Sequence, residues 1–377
     1  MIISFVHGIC VRNDAISSAI YNEITWLNSA KRHSVRLFAY VCEHDSLPYS
    51  KVDALRDLIY DEYFQSSDLV VFHFGVFYPL FDVLPLAPRK ARRVVVFHNI
   101  TPRDLVSAEH LETIDRSFKQ MANMVFADHV VCDSQTNIDV LRRAGIHTTS
   151  SVLPLGVDGL TETPNNKPSH ADQRIRVAFV GRFVRSKGPI DLLNALGWLL
   201  ERDTRTKVNL DMVGNLHFSD VNILEEIRRA TSQLQESFEG RIAITLHGNA
   251  TNEIKQRLLR EADLFVLPTY HEGFCVPIVE ALGSGCRVIC YENSNTPAIS
   301  GGLAELIPTG DQKALSVAIQ NVIKEIQSTN WLGSGDRSYL EYSRKAAKYA
   351  MQYSPERSKT RFVRFMDRCA EPYFAKK

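Results

Sequence analysis

Leu264-Phe265-Val266-Leu267-Pro268-Thr269-Tyr270-His271-Glu272-Gly273-Phe274-Cys275-Val276-Pro277-Ile278-Val279-Glu280-Ala281-Leu282 reads as a strand, a turn and a helix. The apolar run from Leu264 to Pro268 is the strand, and Val276 to Leu282 is the helix. Glu272 therefore falls in the turn at the strand's carboxyl end. Glu280 falls on the helix that follows. In open α/β sheets this edge is where ligands sit. A turn glycine such as Gly273 lets backbone approach a ligand closely, and the first N–H groups of a helix attract anions. The segment thus offers amide donors to phosphates and carboxylates to hydroxyl groups, and a nucleotide-sugar carries both.

Outward from this segment, short β-branched runs alternate with helix-length stretches, the pattern of parallel α/β architecture. In the first half the strands are expected at Ile2–His7, Val35–Val41, Leu69–Phe74, Arg93–His98, His129–Asp133 and Ser151–Leu153. Helices are expected at Ala15–Ser29, Val52–Gln65 and Thr136–Ala144, the last with Ser134 as N-cap and Gly145 as stop. A polar stretch with two prolines, Thr161–Gln173, reads as a linker. A second series follows at Arg176–Val180, Val208–Val213, Ile242–Leu246, Leu264–Pro268, Arg287–Tyr291 and Glu305–Ile307. The expected fold is α/β, with two tandem doubly wound Rossmann-like domains facing a cleft. The first covers residues 1–160 and the second 161–353. A helical tail over 354–377 either ends the second domain or crosses back onto the first. A length of 377 residues suits two domains.

A composition of 45% hydrophobic and 23% charged residues is that of a soluble globular chain. The net charge of +1 gives no electrostatic case for a nucleic-acid partner. The seven cysteines form no CxxC pair, which reads as reduced, buried thiols in a cytoplasmic protein without a zinc site. The N-terminus lacks a basic leader and reads as a first strand. The apolar stretch from Leu69 is broken by His73 and Pro79, too short for the ~20 residues of a membrane-spanning helix. Arg89, Lys90, Arg92 and Arg93 form a basic cluster that is either a solvated loop or a peripheral membrane contact.

In the second domain the strand ending at Val180 runs into Gly181-Arg182, and Lys187-Gly188 follows before a helix. Arginine is a planar fork and lysine a point charge, so Arg182 and Lys187 can bracket a diphosphate. Gly214 and the pair His247-Gly248 also close strands. They are either pocket wall or simple turn chemistry.

The second domain resembles the retaining glycosyltransferases of family 4 (glycosyl transferases group 1), which have the GT-B fold. The resemblance is carried by VGRFVRSKG (180–188), LHGNAT (246–251), the segment from Ala262 to Gly285, and NTPAISGG (295–302). The first domain resembles a bacterial subset of the same family through RNDAISSAI (12–20), VVVFHNITP (94–102), DHVVCDSQTNIDVLRRAG (128–145) and VLPLGVD (152–158). The resemblance implies that Arg182 and Lys187 hold the donor diphosphate. It implies that Glu280 binds the ribose and Glu272 the transferred sugar, with the Gly273 and Phe274 amides beside it. It puts His98 opposite the transferred sugar and Asp14 near the acceptor or the phosphate; Asp14 also reads as a helix N-cap. The loop after the first strand lacks the paired glycines of many family members, and Gly285-Cys286-Arg287-Val288 departs from the usual strand entry.

The implied reaction is transfer of a hexose from a GDP- or UDP-sugar, GDP-mannose among them, to a saccharide or lipid-linked saccharide acceptor, with retention. Glu272 and Glu280 both lie on the donor side, so the carboxylate pair of retaining hydrolases is missing. A front-face mechanism in which cations stabilise the leaving group fits better. No metal or other cofactor is expected. A nicotinamide dehydrogenase is excluded by charged residues where GxGxxG would stand. A nucleotide-sugar epimerase and a non-catalytic nucleotide-sugar binding module are the remaining alternatives.

Overall fold

The computed structural model describes residues 1–12, 14–162, 174–328 and 338–370. The chain divides into two compact units. Met1–Arg103, Ala108–Gly156 and Pro355–Lys377 form the first, and Asp104–Ser107 with Val157–Ser354 form the second. Most of the expected linker, residues 163–173, lies outside the described residues.

The first unit is built on β1 (Ile2–Val6), β2 (Ser34–Ala39), β3 (Tyr49–Lys51), β4 (Leu69–Phe74), β5 (Arg92–Phe97), β6 (His129–Cys132) and β7 (Ser150–Val152). They form one parallel sheet in the order β3-β2-β1-β4-β5-β6-β7. The second unit carries β8 (Arg174–Val180), β9 (Lys207–Gly214), β10 (Ile242–Gly248), β11 (Leu264–Leu267), β12 (Arg287–Glu292) and β13 (Ala304–Pro308). Their order is β10-β9-β8-β11-β12-β13, again all parallel. In both sheets the first strand lies inside and the order reverses beside it. That reversal opens a crevice between β1 and β4, and another between β8 and β11, at the carboxyl ends of the strands.

The sequence explains these elements. Central strands such as β4 are buried along their whole length, as both faces of a parallel sheet are covered by helices. The helix Ala15–Ser29 buries Ile20, Ile24 and Leu27 at helical spacing and is capped by Asp14. Ser134 caps Gln135–Arg143 as expected, and Gly145 ends it in the left-handed region at φ 77°. The expected helix Val52–Gln65 is instead two short pieces, Leu55–Ile59 and Glu62–Gln65. The Asp61 carboxylate accepts the Phe64 N–H at 2.9 Å and so starts a new helix inside the run. Strand β3 was not anticipated, since three mixed residues carry no periodicity.

The last helix, Pro355–Ala370, packs into the core of the first unit through Phe362, Phe365 and Met366. The Phe362 ring lies 6.0 Å from Trp26, and Phe365 lies 5.1 Å from His129. Arg92 reaches the carbonyls of Arg368 and Cys369 at 3.3 Å each, satisfying groups that a helix end leaves unpaired. Arg93 likewise turns inward, donating to the Ala87 carbonyl, so only Arg89 and Lys90 of the basic cluster are exposed. All seven cysteines are free thiols. Among the described residues no helix is long and apolar enough to cross a membrane.

Candidate functional site

In the second unit, the loops leaving β8 and β11 flank the crevice where the strand order reverses. Gly188 ends the β8 loop at φ 64°, and a Cβ there would stand 2.1 Å from the Pro268 carbonyl oxygen. Only glycine allows both the turn and that approach. The Ser186 carbonyl accepts the Tyr270 N–H at 2.7 Å and the Thr269 hydroxyl at 3.0 Å. The Tyr270 hydroxyl donates to Asp191 at 2.6 Å, on the helix that follows Gly188. The two loops are therefore stitched together before any ligand arrives.

The stitching brings Lys187 and Glu272 into contact. Lys187 Nζ donates to Glu272 Oε1 at 2.7 Å, with the side chains 18% and 7% exposed. Gly181 stands against the stem of Lys187, which a Cβ would meet at 3.6 Å. The Arg182 side chain, in the same loop, is exposed and has no partner among the described residues. The loop thus holds one neutralised cation, Lys187, and two exposed guanidiniums, Arg182 and Arg185, the fork that matches phosphate geometry.

Glu280 lies one helix further on. Its Oε1 accepts from Lys255 Nζ at 2.6 Å, and its side chain is 6% exposed. Burial raises the Glu280 pKa, the adjacent Lys255 ammonium opposes that shift, and Asp158 adds to it. Lys255 was absent from the sequence reading. It sits on a different helix, Asn252–Glu261, and no local pattern couples positions so far apart.

Between the two glutamates, Glu272 and Phe274 are buried and Gly273 is half-buried. The Phe274 carbonyl accepts from Asn295 Nδ2 at 2.9 Å, and its ring meets Tyr353 edge-on at 5.4 Å. Cys275, not a glycine, takes the left-handed conformation at φ 78° immediately before the helix Val276–Gly283. Such a backbone costs about 1–3 kcal/mol and is typical of functional turns. His271 Nδ1 lies 3.3 Å from the Ser294 hydroxyl. At the end of β10, His247 Nε2 lies 2.7 Å from Asp211 Oδ1, Gly248 is exposed, and Asn249 Oδ1 accepts the Leu216 N–H at 2.8 Å.

In the first unit, Asp14 Oδ2 accepts both the N–H and the hydroxyl of Ser17 at 2.8 Å, so it caps the helix. His98 directly follows β5, and both of its ring nitrogens are engaged inside the unit. Nδ1 lies 2.9 Å from Asp133 Oδ2, and Nε2 lies 2.9 Å from His73 Nδ1. Burial lowers the His98 pKa, but the Asp133 carboxylate, its hydrogen bond and Glu23 outweigh that, so the net shift is upward. Sequence reading left His73 without a role and did not include Glu23 or Asp133. Their only signal is position, at strand ends or on the helix that covers them.

Residues 161–336 match the family model described as glycosyl transferases group 1. The chain is 27% identical over 198 residues to the D-inositol 3-phosphate glycosyltransferase of Corynebacterium jeikeium, covering 49% of this chain and 46% of that protein. It is 27% identical over 153 residues to the O-antigen chain mannosyltransferase B of Escherichia coli, covering 41% and 37%. The chain thus spans less than half the length of these curated relatives. Among solved structures, a glycosyltransferase from Rickettsia africae superposes with a TM-score of 0.72 at 14% identity, covering 98% of both chains. Sucrose-phosphate synthase from Thermosynechococcus elongatus gives 0.69 at 17% identity, covering 97% and 98%. The fold is that of the GT-B glycosyltransferases.

Proposed function

We propose that this chain is a retaining glycosyltransferase of family 4 that moves a hexose from a nucleotide-diphosphate sugar to an acceptor hydroxyl. The observation that carries the reading is the Lys187–Glu272 pair, held at 2.7 Å at the reversal of the second sheet, with the Arg182 side chain unpartnered in the same loop. A diphosphate arriving there meets Arg182 directly and can draw Lys187 away from Glu272. The released carboxylate is then an acceptor for sugar hydroxyls. Negative charge that develops on the leaving phosphate is stabilised by groups already in place, usually the largest catalytic contribution. Glu280 is proposed to bind the ribose, with the Gly273 and Phe274 amides toward the sugar or phosphate. Gly181, His247 and Gly248 are proposed as walls of the nucleotide pocket.

In this reading the cations take the place of a metal ion, and the leaving phosphate accepts the acceptor's proton on the same face of the sugar. In the first unit, Asp14 and His98 are proposed to serve the substrate at the carboxyl ends of β1 and β5. The named relatives act on inositol phosphate and on an O-antigen chain. Those names support glycosyl transfer, and the proposed donor is a GDP- or UDP-sugar, with an acceptor in bacterial polysaccharide, lipopolysaccharide or glycolipid assembly. A cytoplasmic enzyme touching the inner face of the membrane through Arg89 and Lys90 would suit that acceptor.

The test is calorimetry with UDP and GDP, followed by transfer from the matching nucleotide-sugars in excess chelator. One nucleotide should bind, and transfer should persist with the anomeric configuration kept. Binding of neither nucleotide would sink the proposal. Isomerised donor formed without any acceptor would favour an epimerase instead.

A further inference from the structure

Four titratable side chains form one hydrogen-bonded line inside the first unit. Asp133 Oδ2 lies 2.9 Å from His98 Nδ1, His98 Nε2 lies 2.9 Å from His73 Nδ1, and His73 Nε2 lies 3.1 Å from Glu23 Oε2. The side chains are 3%, 6%, 0% and 9% exposed in that order. They come from four elements: the residue after β6, the residue after β5, β4 itself, and the helix Ala15–Ser29. No bulk water reaches the interior of such a line, so its protons must be accounted for within it.

Each contact needs one hydrogen, and a neutral imidazole has one donor and one acceptor nitrogen. The Asp133 carboxylate takes the His98 Nδ1–H. Two arrangements then satisfy the rest. In one, Glu23 is protonated and donates to His73 Nε2, while His73 Nδ1–H donates to a neutral His98. In the other, His98 is the imidazolium and donates from Nε2 to His73 Nδ1, while His73 Nε2–H donates to an ionised Glu23. Both hold the same number of protons and the same net charge. One passes to the other when the Glu23 proton moves to His73 Nε2 as the His73 Nδ1 proton moves to His98 Nε2. No atom is gained or lost, and His73 stays neutral in both.

We propose that Glu23 and His98 share a single proton through the ring of His73, so that the imidazole after β5 changes charge without exchanging a proton with solvent. The surroundings favour this sharing. Burial pushes the Glu23 carboxyl up to about 8, the Asp133 carboxylate raises His98, and burial drives His73 well below the ordinary histidine value. The other titratable groups facing the line are His7, Asp14, Tyr78, whose hydroxyl donates to the His73 carbonyl at 2.8 Å, and Cys132, which precedes Asp133. His7 sits at the end of β1 with its Nδ1 on the His73 carbonyl at 3.0 Å, and Asp14 caps the helix that carries Glu23. His7 is itself held neutral, pushed down to about 3 by burial and by His73. Under the proposed transfer reaction, Glu23 and His73 are positioning residues that act through His98. That functional sense rests on the reading above, whereas the shared proton does not.

The test uses the full chain with nitrogen-labelled histidine and carboxyl-labelled glutamate, followed by NMR across the neutral pH range. The Glu23 carboxyl and the His98 ring should titrate with one common midpoint, as coupled sites do, and His73 should keep a single ring proton throughout. In Glu23→Gln the balancing anion is lost, and the His98 midpoint should fall by about one unit or more. In a transfer assay, the limb of the pH profile that follows His98 should move with it. Separate midpoints, a doubly protonated His73, or an unmoved His98 in Glu23→Gln would overturn the proposal. Should that variant not fold, the common midpoint in the unaltered chain decides alone. A common midpoint in a protein without transfer activity would refute the enzymatic reading and leave the shared proton standing.

Discussion

Lys255 Nζ stands 2.6 Å from Glu280 Oε1, which makes the proposed ribose-binding carboxylate half of a buried ion pair before any nucleotide is present. Burial raises the Glu280 pKa, and the Lys255 ammonium opposes that shift. Lys255→Met leaves that carboxylate unpaired. Breaking a buried pair typically costs about 3–5 kcal/mol, and the part exposure of Lys255 lowers the expected loss to about 2–3 kcal/mol. Urea unfolding measures it. A loss under about 0.5 kcal/mol, the range of ordinary surface changes, would show that the pair contributes little.

The Lys187–Glu272 contact predicts a strong coupling between two variants. Lys187→Met alone strands a buried carboxylate, and Glu272→Gln alone strands a largely buried ammonium. The double variant removes both charges, so its stability should lie above the sum of the single losses by about 1–3 kcal/mol. Transfer should be lost in Lys187→Met whatever the stability.

Arg182 separates catalysis from folding. Its side chain is exposed and unpartnered, so Arg182→Ala should change unfolding free energy by no more than about 0.5 kcal/mol. Transfer should fall by about 10²–10³-fold, the size of effect seen when one group stabilising a developing charge is removed. A variant with near-normal turnover would detach Arg182 from the diphosphate.

Gly188→Ala tests the stitching of the two loops. The new Cβ would meet the Pro268 oxygen at 2.1 Å from a left-handed backbone, so the loops must part. The expected cost is about 2–4 kcal/mol, above the usual range for a single substitution, with nucleotide binding weakened in parallel. Calorimetry and unfolding on the same preparation check both.

Stability should peak near neutrality. The folded pKa of Glu23 is raised to about 8, so between the unfolded carboxylate value and 8 the native state holds a proton that the unfolded chain lacks. That contribution is lost as pH rises toward 8, at a slope of up to about 1.4 kcal/mol per pH unit. His7 and His73 are lowered, so below about 6.5 the unfolded chain takes up protons that the native state refuses, and stability falls with acid. Glu23→Gln should flatten the alkaline side and steepen the fall on the acid side down to the ordinary carboxylate range. A monotonic profile from acid to pH 8 would contradict these assignments.

Much of this was legible in the chain because the signals are local. β-branched runs gave the strands, Ser134 and Asp14 gave the caps, and the spacing from Glu272 to Glu280 marked the edge that holds the candidate site. Lys187 was legible for the same reason, as a charge in a strand–helix loop. Its partner was not, because the contact with Glu272 depends on which strands become neighbours. Lys255, Glu23 and Asp133 were hidden for the same cause: each meets its partner only through the strand order. Cys275 was hidden differently, since the left-handed turn it makes is normally announced by glycine.

The helix Pro355–Ala370 has a consequence for how the molecule is made. Its Phe362, Phe365 and Met366 belong to a core whose other members, such as Ile3 and Leu37, leave the ribosome long before them. Domains generally fold as units during synthesis, from the N-terminus onward. Here the earlier unit cannot close its core until the later one has been fully translated. Residues 1–156 released alone would expose the apolar surface that this helix covers.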